Sequence, residues 1–169
     1  MVEIKRVVVA MLLACAMMVP VACSRVPQLS KPARSDGDGA INVTGACEAK
    51  LLDGGQVLHV SGECSLMDGT NGIVCILNAN GWTVEKLKFT LESDTISFDF
   101  PVTADWPATV YGLISFDTQQ CDRQPSEVTE TYGNRFQNLE GPDVIWDTKG
   151  VVAVFQSDPV VIRAESAQT

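Results

Sequence analysis

The sequence predicts an all-β domain built as a two-sheet antiparallel sandwich with one short helix. Three observations predict it. About eight short apolar or alternating segments follow one another, turn residues separate them at intervals of about 8–12 residues, and only the segment 126–139 has helical spacing. We expect the domain to span residues 46–164, because a chain of ~120 residues can bury one core and fold alone.

The first predicted strands are joined by tight turns. A strand over 56–64 precedes one over 73–78, which is apolar enough to be central in a sheet. Asn80-Gly81 then predicts a hairpin into a strand over 82–92. Apolar positions in that strand change phase near Glu85-Lys86, which indicates a β-bulge.

The later predicted strands include one hairpin near the carboxyl end. Alternation predicts a half-buried strand over 95–100, and residues 108–117 are apolar on both faces. A hairpin is expected over 144–155, with a type I turn at Asp147-Thr148-Lys149-Gly150. A short last strand is expected over 160–162, and residues 165–169 are expected to form a disordered tail.

The single predicted helix covers residues 126–139. Ser126 is suited to the N-cap, and Gly141-Pro142 is a stop signal. The apolar stripe of the helix is formed by Val128, Tyr132, Phe136 and Leu139. We expect the stripe to pack against a sheet. The alternative is an accessory subunit that docks on a partner through this helix.

The first 22 residues have the layout of a secretory signal peptide. Lys5 and Arg6 precede an uncharged run from Val7 to Cys23, and its 17 residues are fewer than the ~20 that a membrane-spanning helix needs. Pro20 interrupts the run. We therefore expect a cleaved signal and an exported protein.

The end of this run, Val21-Ala22-Cys23, resembles the lipobox of bacterial lipoproteins, in which a small residue precedes a cysteine that receives diacylglycerol. The resemblance implies lipidation of Cys23 and a membrane-anchored protein of the cell envelope. Pro20 departs from the aliphatic residue usual there, and Leu12-Leu13-Ala14-Cys15 is a second match. We prefer Cys23, because cleavage before Cys15 would leave another apolar stretch at the new amino terminus. Cleavage without lipidation, which gives a secreted protein, is the alternative.

Residues 23–45 predict a flexible linker, since they are rich in Pro, Gly and small polar residues and have no apolar period. Without the signal the chain has 10 basic and 20 acidic residues, a net charge of about −10. The basic residues are scattered, with Lys86 and Lys88 the closest pair. We therefore expect no nucleic-acid partner.

Four cysteines remain in the predicted domain, at Cys47, Cys64, Cys75 and Cys121. An even number in an exported domain predicts two disulfides, for which three connectivities exist. We favour Cys64–Cys75 with Cys47–Cys121, because a hairpin would put residues 64 and 75 on facing strands. A metal site is disfavoured, since no CxxC occurs and His59 is the only histidine, and no cofactor is expected.

Few residues suggest catalysis. His59 alternates with Val57 and Ser61, which places it on the polar face of its predicted strand. A Ser-His-Asp arrangement would have to assemble in space, and the chain contains neither a GxSxG nucleophile elbow nor a P-loop. An exported hydrolase using His59 is therefore the alternative to a non-catalytic protein.

Three tryptophans adjoin turn residues, at Trp82, Trp106 and Trp146. Tryptophans at the loop tips of a sandwich can bind protein or glycan, or they can cap the core. Trp106, between Asp105 and Pro107, is the best candidate for exposure.

The order of elements from Leu58 to Ile162 resembles that of the Ig-like and transthyretin-like modules of bacterial lipoproteins. The resemblance rests on the pattern of strands and one helix, and it implies a sandwich but little about function. The leading expectation is a non-catalytic envelope module that binds a protein or a glycan or has a structural role.

Overall fold

The computed structural model describes residues 39–163. The predicted signal peptide, Cys15, Cys23, most of the linker and the tail lie outside the described residues. The elements in chain order are β1 Ile41–Asn42, β2 Gly45–Leu52, β3 Val57–Cys64, β4 Asn71–Asn78, β5 Thr83–Thr90, β6 Thr95–Pro101, β7 Thr109–Phe116, α1 Ser126–Tyr132, β8 Leu139–Glu140, β9 Val144–Asp147, β10 Gly150–Gln156 and β11 Val160–Val161.

Two antiparallel sheets confirm the predicted all-β sandwich. Sheet I has the order β2-β3-β6, and sheet II has the order β5-β4-β7-β10-β9. β11 adds to sheet II beside β7, and the short strands β1 and β8 form a parallel pair of their own. Only α1 is helical over a full turn, so strands dominate the described chain.

Alternating side chains fill the space between the sheets. Phe89 of β5 lies against Phe98 of β6 with ring centroids 5.3 Å apart, and it meets Phe116 of β7 edge-on at 5.6 Å. A Cβ at Gly72 would come within 2.7 Å of Phe89 and 2.8 Å of Phe116. The position therefore requires glycine for these rings to pack at their observed separation.

The predicted local features of β4 and β5 are confirmed. Gly81 adopts a φ of +79° in the turn between them, as a tight hairpin requires. Ile76 pairs with Glu85 whereas Leu77 pairs with Thr83, so Val84 is the extra residue of a bulge. The bulge lies next to the position at which the apolar phase changes in the sequence.

The predicted hairpin between 56–64 and 73–78 is wrong. These segments form β3 and β4, which belong to different sheets, and β3 instead pairs with β2 and β6. The strand β2 was not predicted. Its odd-numbered residues are half-buried and its even-numbered ones exposed, but small and charged residues make this alternation weak in hydropathy.

The predicted helix 126–139 ends early, at Tyr132. Gly133 has a φ of +86° and Phe136 a φ of +57°, so the chain turns back instead of continuing the helix. The four residues of the apolar stripe are all buried in the core of the domain. The structure therefore contradicts docking through that stripe.

No helix within residues 39–163 is long and apolar enough to cross a membrane.

Candidate functional site

A wide groove lies between the loop that follows β7 and the first turn of α1. Its volume of about 780 Å³ is within the range of small-ligand sites. Most lining side chains can form hydrogen bonds, and the lining residues are Thr118, Cys121, Arg123, Gln124, Pro125, Ser126, Thr129 and Asn134. The groove can therefore hold a polar ligand.

Asp117 organises the start of the loop. Its side chain is only 3% exposed, and Oδ1 accepts the backbone N–H groups of Gln119 at 2.6 Å and Gln120 at 2.5 Å. A buried carboxylate needs such donors, because burial without hydrogen bonds would be costly. This arrangement turns the chain away from β7 and over the outer face of sheet II.

Gln124 fixes the end of the loop to β4. Its Oε1 accepts the N–H of Asn71 at 2.9 Å, and its Nε2 donates to the carbonyls of Asn71 at 2.8 Å and Asp117 at 2.9 Å. Asn71 also donates from Nδ2 to the carbonyl of Arg123 at 2.9 Å. The wall of the groove is thus held in place before any ligand arrives.

Two charged residues stand side by side on this loop and have different contacts. Asp122 pairs with Lys88 of β5 at 2.6 Å, and this hydrogen bond raises the pKa of Lys88. Arg123 is exposed and lines the groove. Of the described residues that line the groove, Arg123 is the only one with a cationic side chain.

Cys121 is unsuited to be a nucleophile. Its Sγ lies 3.8 Å from the carbonyl oxygen of Ser115, and burial raises the pKa of the thiol to about 12. The thiol is therefore protonated at neutral pH, whereas nucleophilic attack requires the thiolate.

Thr118 carries the one buried side-chain oxygen in the described residues that has no hydrogen-bond partner. This atom is Oγ1, and Thr118 lines the groove. Buried hydroxyls are nearly always hydrogen-bonded, so this one is an exception. It lies 3.7 Å from the position that a Cβ at Gly150 would take, and Gly150 is not among the residues that line the groove.

The four cysteines of the predicted disulfides are free in this structure. Cys64 ends β3 on the buried side that faces sheet II. Cys75 alternates with the fully buried Val74 and Ile76, so it points to the outer side of sheet II. Sheet II thus separates Cys64 from Cys75, and the facing strands predicted for this pair do not exist.

His59 lies on the outer face of sheet I, as its alternation predicted. Its Nδ1 is 2.6 Å from Oδ1 of Asp99, its register partner on β6. Ser61 and Ser97 face each other two residues along the same strands. The pair is open to solvent on a sheet face and does not line the groove.

The tryptophans differ from expectation in one respect. Trp106 is buried, with 6% of its surface exposed, so the prediction of its exposure is wrong. Trp82 is 72% exposed at the tip of the β4–β5 hairpin. Asn78 holds that tip by accepting the N–H groups of Asn80 and Trp82 on Oδ1. Trp146 is half-buried against the core.

Of the groove residues, sequence reasoning named only Cys121 and Ser126, and for other roles. The available signal was the polar stretch 117–126 between an apolar strand and a helix. No group of three or more His, Cys, Asp or Glu side chains within residues 39–163 is placed to hold a metal ion. No protein-family model, curated protein or solved structure matches this chain. The functional proposal therefore rests on the geometry of the groove.

Proposed function

We propose that this protein is an exported, non-catalytic module of the cell envelope, anchored by lipid on Cys23, that binds a polar ligand in the groove. The ligand is a glycan or a polar segment of a protein. The observation that carries the binding role is the groove itself, whose hydrogen-bonding walls are fixed by Gln124.

The sequence supports the export and the anchor. Lys5 and Arg6, the uncharged run that follows, and Ala22-Cys23 match a lipoprotein signal. A diacyl anchor on Cys23 gives stable membrane attachment, because one acyl chain alone binds only marginally.

The described chain begins at the end of the sandwich that carries the groove. Gly45, at the start of β2, pairs with Cys64 at the end of β3, and the groove loop is fixed to Asn71 at the start of β4. Trp82 lies at the opposite end of β4, beyond Asn78.

The binding role is tested by screening the full chain against arrays of glycans and extended peptides. Ser126→Trp would fill the groove, and Thr131→Trp, which is exposed about 140° around the same helix from Ser126, is the matched control. We expect hits that Ser126→Trp loses and Thr131→Trp keeps. Hits that survive in Ser126→Trp would reject the groove as the site.

The anchor is tested by metabolic labelling with an acyl analogue. We expect Cys23→Ala to lose the label and Cys15→Ala to keep it. The reverse result would assign the lipid to Cys15. Absence of label from the wild type would indicate the alternative, a secreted protein without a lipid anchor.

An exported hydrolase is the second candidate, and one observation favours it. The contact between His59 and Asp99 would orient an imidazole that acts on a substrate at the outer face of sheet I. Any hydrolysis found in a substrate panel would have to disappear in His59→Ala for this candidate to stand.

A further inference from the structure

The three arginines of the described residues differ in what their guanidinium groups contact. Arg135 donates to two backbone carbonyls at 2.8 and 2.6 Å, and Arg163 also donates to two. Arg123 has no hydrogen-bond or ion-pair partner for its guanidinium among residues 39–163. Two arginines therefore bind backbone carbonyls of the fold, and the third lines the groove without such a partner among the described residues.

The acidic residue next to Arg123 does not compete for it. Asp122 is engaged by Lys88 at 2.6 Å on the outer face of sheet II. None of the residues that line the groove is an Asp or a Glu, although acidic residues outnumber basic ones in the chain by 21 to 12. The guanidinium fork thus meets no carboxylate of the groove lining and is suited to one from a ligand.

The rest of the lining is neutral and forms hydrogen bonds. Ser126 and Asn134 are exposed on the walls. Hydroxyl and amide groups of this kind pair with the hydroxyls of a sugar. Among the described lining residues, only Pro125 and Cys121 have side chains without a hydroxyl, amide or guanidinium group.

We propose that the groove binds an acidic glycan, with the guanidinium of Arg123 on a sugar carboxylate and the exposed side chains of Ser126 and Asn134 on sugar hydroxyls. One cation matches one carboxylate per binding site, and the volume of about 780 Å³ admits a short oligosaccharide. This inference rests on the proposed function and names its ligand class.

The test titrates the full chain with trigalacturonic acid and with its methyl ester by isothermal calorimetry. The ester keeps the size and the hydroxyls of the acid but removes its charges. Arg123→Gln removes the fork, and Lys86→Gln removes an exposed cation outside the groove. We expect the wild type and Lys86→Gln to bind the acid at least about tenfold more tightly than the ester.

The variants separate charge recognition from hydroxyl recognition. Arg123→Gln should weaken binding of the acid about tenfold to a hundredfold and bring it to the level of the ester. Asn134→Ala should weaken the acid and the ester by the same factor, about two- to tenfold. An unchanged thermal midpoint in each variant shows that the fold is kept.

Two results would overturn the inference. Equal binding of the acid and the ester by the wild type would reject charge recognition. Binding of a peptide with a free carboxyl terminus in place of either sugar would reject a glycan. If Ser126→Trp abolishes binding of whichever ligand is found, neither result rejects the proposed function. If Ser126→Trp leaves that binding unchanged, the groove is rejected as the site.

Discussion

Asn71 and Gln124 are joined by two reciprocal hydrogen bonds. The N–H of Asn71 donates to Oε1 of Gln124 at 2.9 Å, and Nε2 of Gln124 donates to the carbonyl of Asn71 at 2.8 Å. The side chain of Gln124 thus occupies the place of a strand beside the first residue of β4. The groove wall depends on these hydrogen bonds, in which a side chain takes the place of a neighbouring strand's backbone.

Removing this side chain should cost both stability and binding. Gln124→Ala leaves the polar groups of Asn71 and the carbonyl of Asp117 without partners in a buried place, so we expect a loss of about 2–3 kcal/mol in the free energy of unfolding. Urea denaturation measures it. The exposed Gln119 on the same loop is the control, and Gln119→Ala should change stability by less than about 0.5 kcal/mol. Equal effects of the two changes would contradict the role of Gln124.

Tyr132 should stabilise the loop before β4 through its hydroxyl. The N–H of Met67 donates to Tyr132 Oη at 2.6 Å, and the ring lies edge-on to Phe136. Tyr132→Phe keeps the ring, so we expect only the hydrogen bond to be lost, with about 1–2 kcal/mol of stability.

The control for this change is the half-buried Tyr111 of β7. Tyr111→Phe should leave the free energy of unfolding within about 0.5 kcal/mol of the wild type. Hydrogen exchange at Met67 should also be faster in Tyr132→Phe alone, and an unchanged rate would show that the bond does not hold the loop.

The thiols of the half-buried Cys47 and the buried Cys121 should make the protein less stable at high pH. Burial raises the pKa of Cys47 to about 11 and that of Cys121 to about 12, from an ordinary value of 9.0. The folded chain holds these protons more tightly than the unfolded chain, so the stabilising contribution is complete below about pH 9 and is lost as the pH rises through 11 to 12. Urea unfolding under reducing conditions, at about pH 8 and about pH 10.5, should show the decline.

The double variant Cys47→Ala/Cys121→Ala isolates the contribution of the thiols, because lysines and tyrosines titrate in the same range. Its free energy of unfolding should fall less between the two pH values than that of the wild type. An identical fall in both proteins would assign the effect to the other groups.

The tryptophans should respond differently to substitution. Trp82 is 72% exposed and Trp106 is 6% exposed. Trp82→Phe should remove most of the fluorescence that acrylamide quenches and change stability by less than about 0.5 kcal/mol. Trp106→Phe should keep that quenching and cost about 1–3 kcal/mol, because it leaves a space in the core. Strong quenching in Trp82→Phe/Trp146→Phe, where Trp106 is the one tryptophan left, would contradict the burial of Trp106.

The sequence predicted the features that short-range chemistry determines. The Asn80-Gly81 hairpin follows from the conformational freedom of glycine, and the bulge at Val84 follows from the apolar phase on either side of it. Both are decided within a few residues of the chain. The hairpin at β9 and β10 is confirmed for the same reason.

Features that join distant segments were not predictable in this way. β3 and β4 are consecutive in the sequence, but the chain crosses from one sheet to the other between them. This crossing is seen in the pairing of β3 with the distant strand β6, which local sequence does not indicate. The groove depends on a contact between Asn71 and Gln124 across 53 positions. The helix ends at Tyr132, and Phe136 is buried in the core after the chain has turned at Gly133, although the spacing of Phe136 continues the helical stripe.

Hydrogen exchange of the full chain, with and without a ligand found in the array screen, tests the central claim most directly. Binding in the groove predicts slower exchange in residues 117–126 and at Asn134, with no change in the β4–β5 hairpin that carries Trp82. Slower exchange confined to that hairpin, or to the face of sheet I that carries His59, would contradict the groove as the functional site.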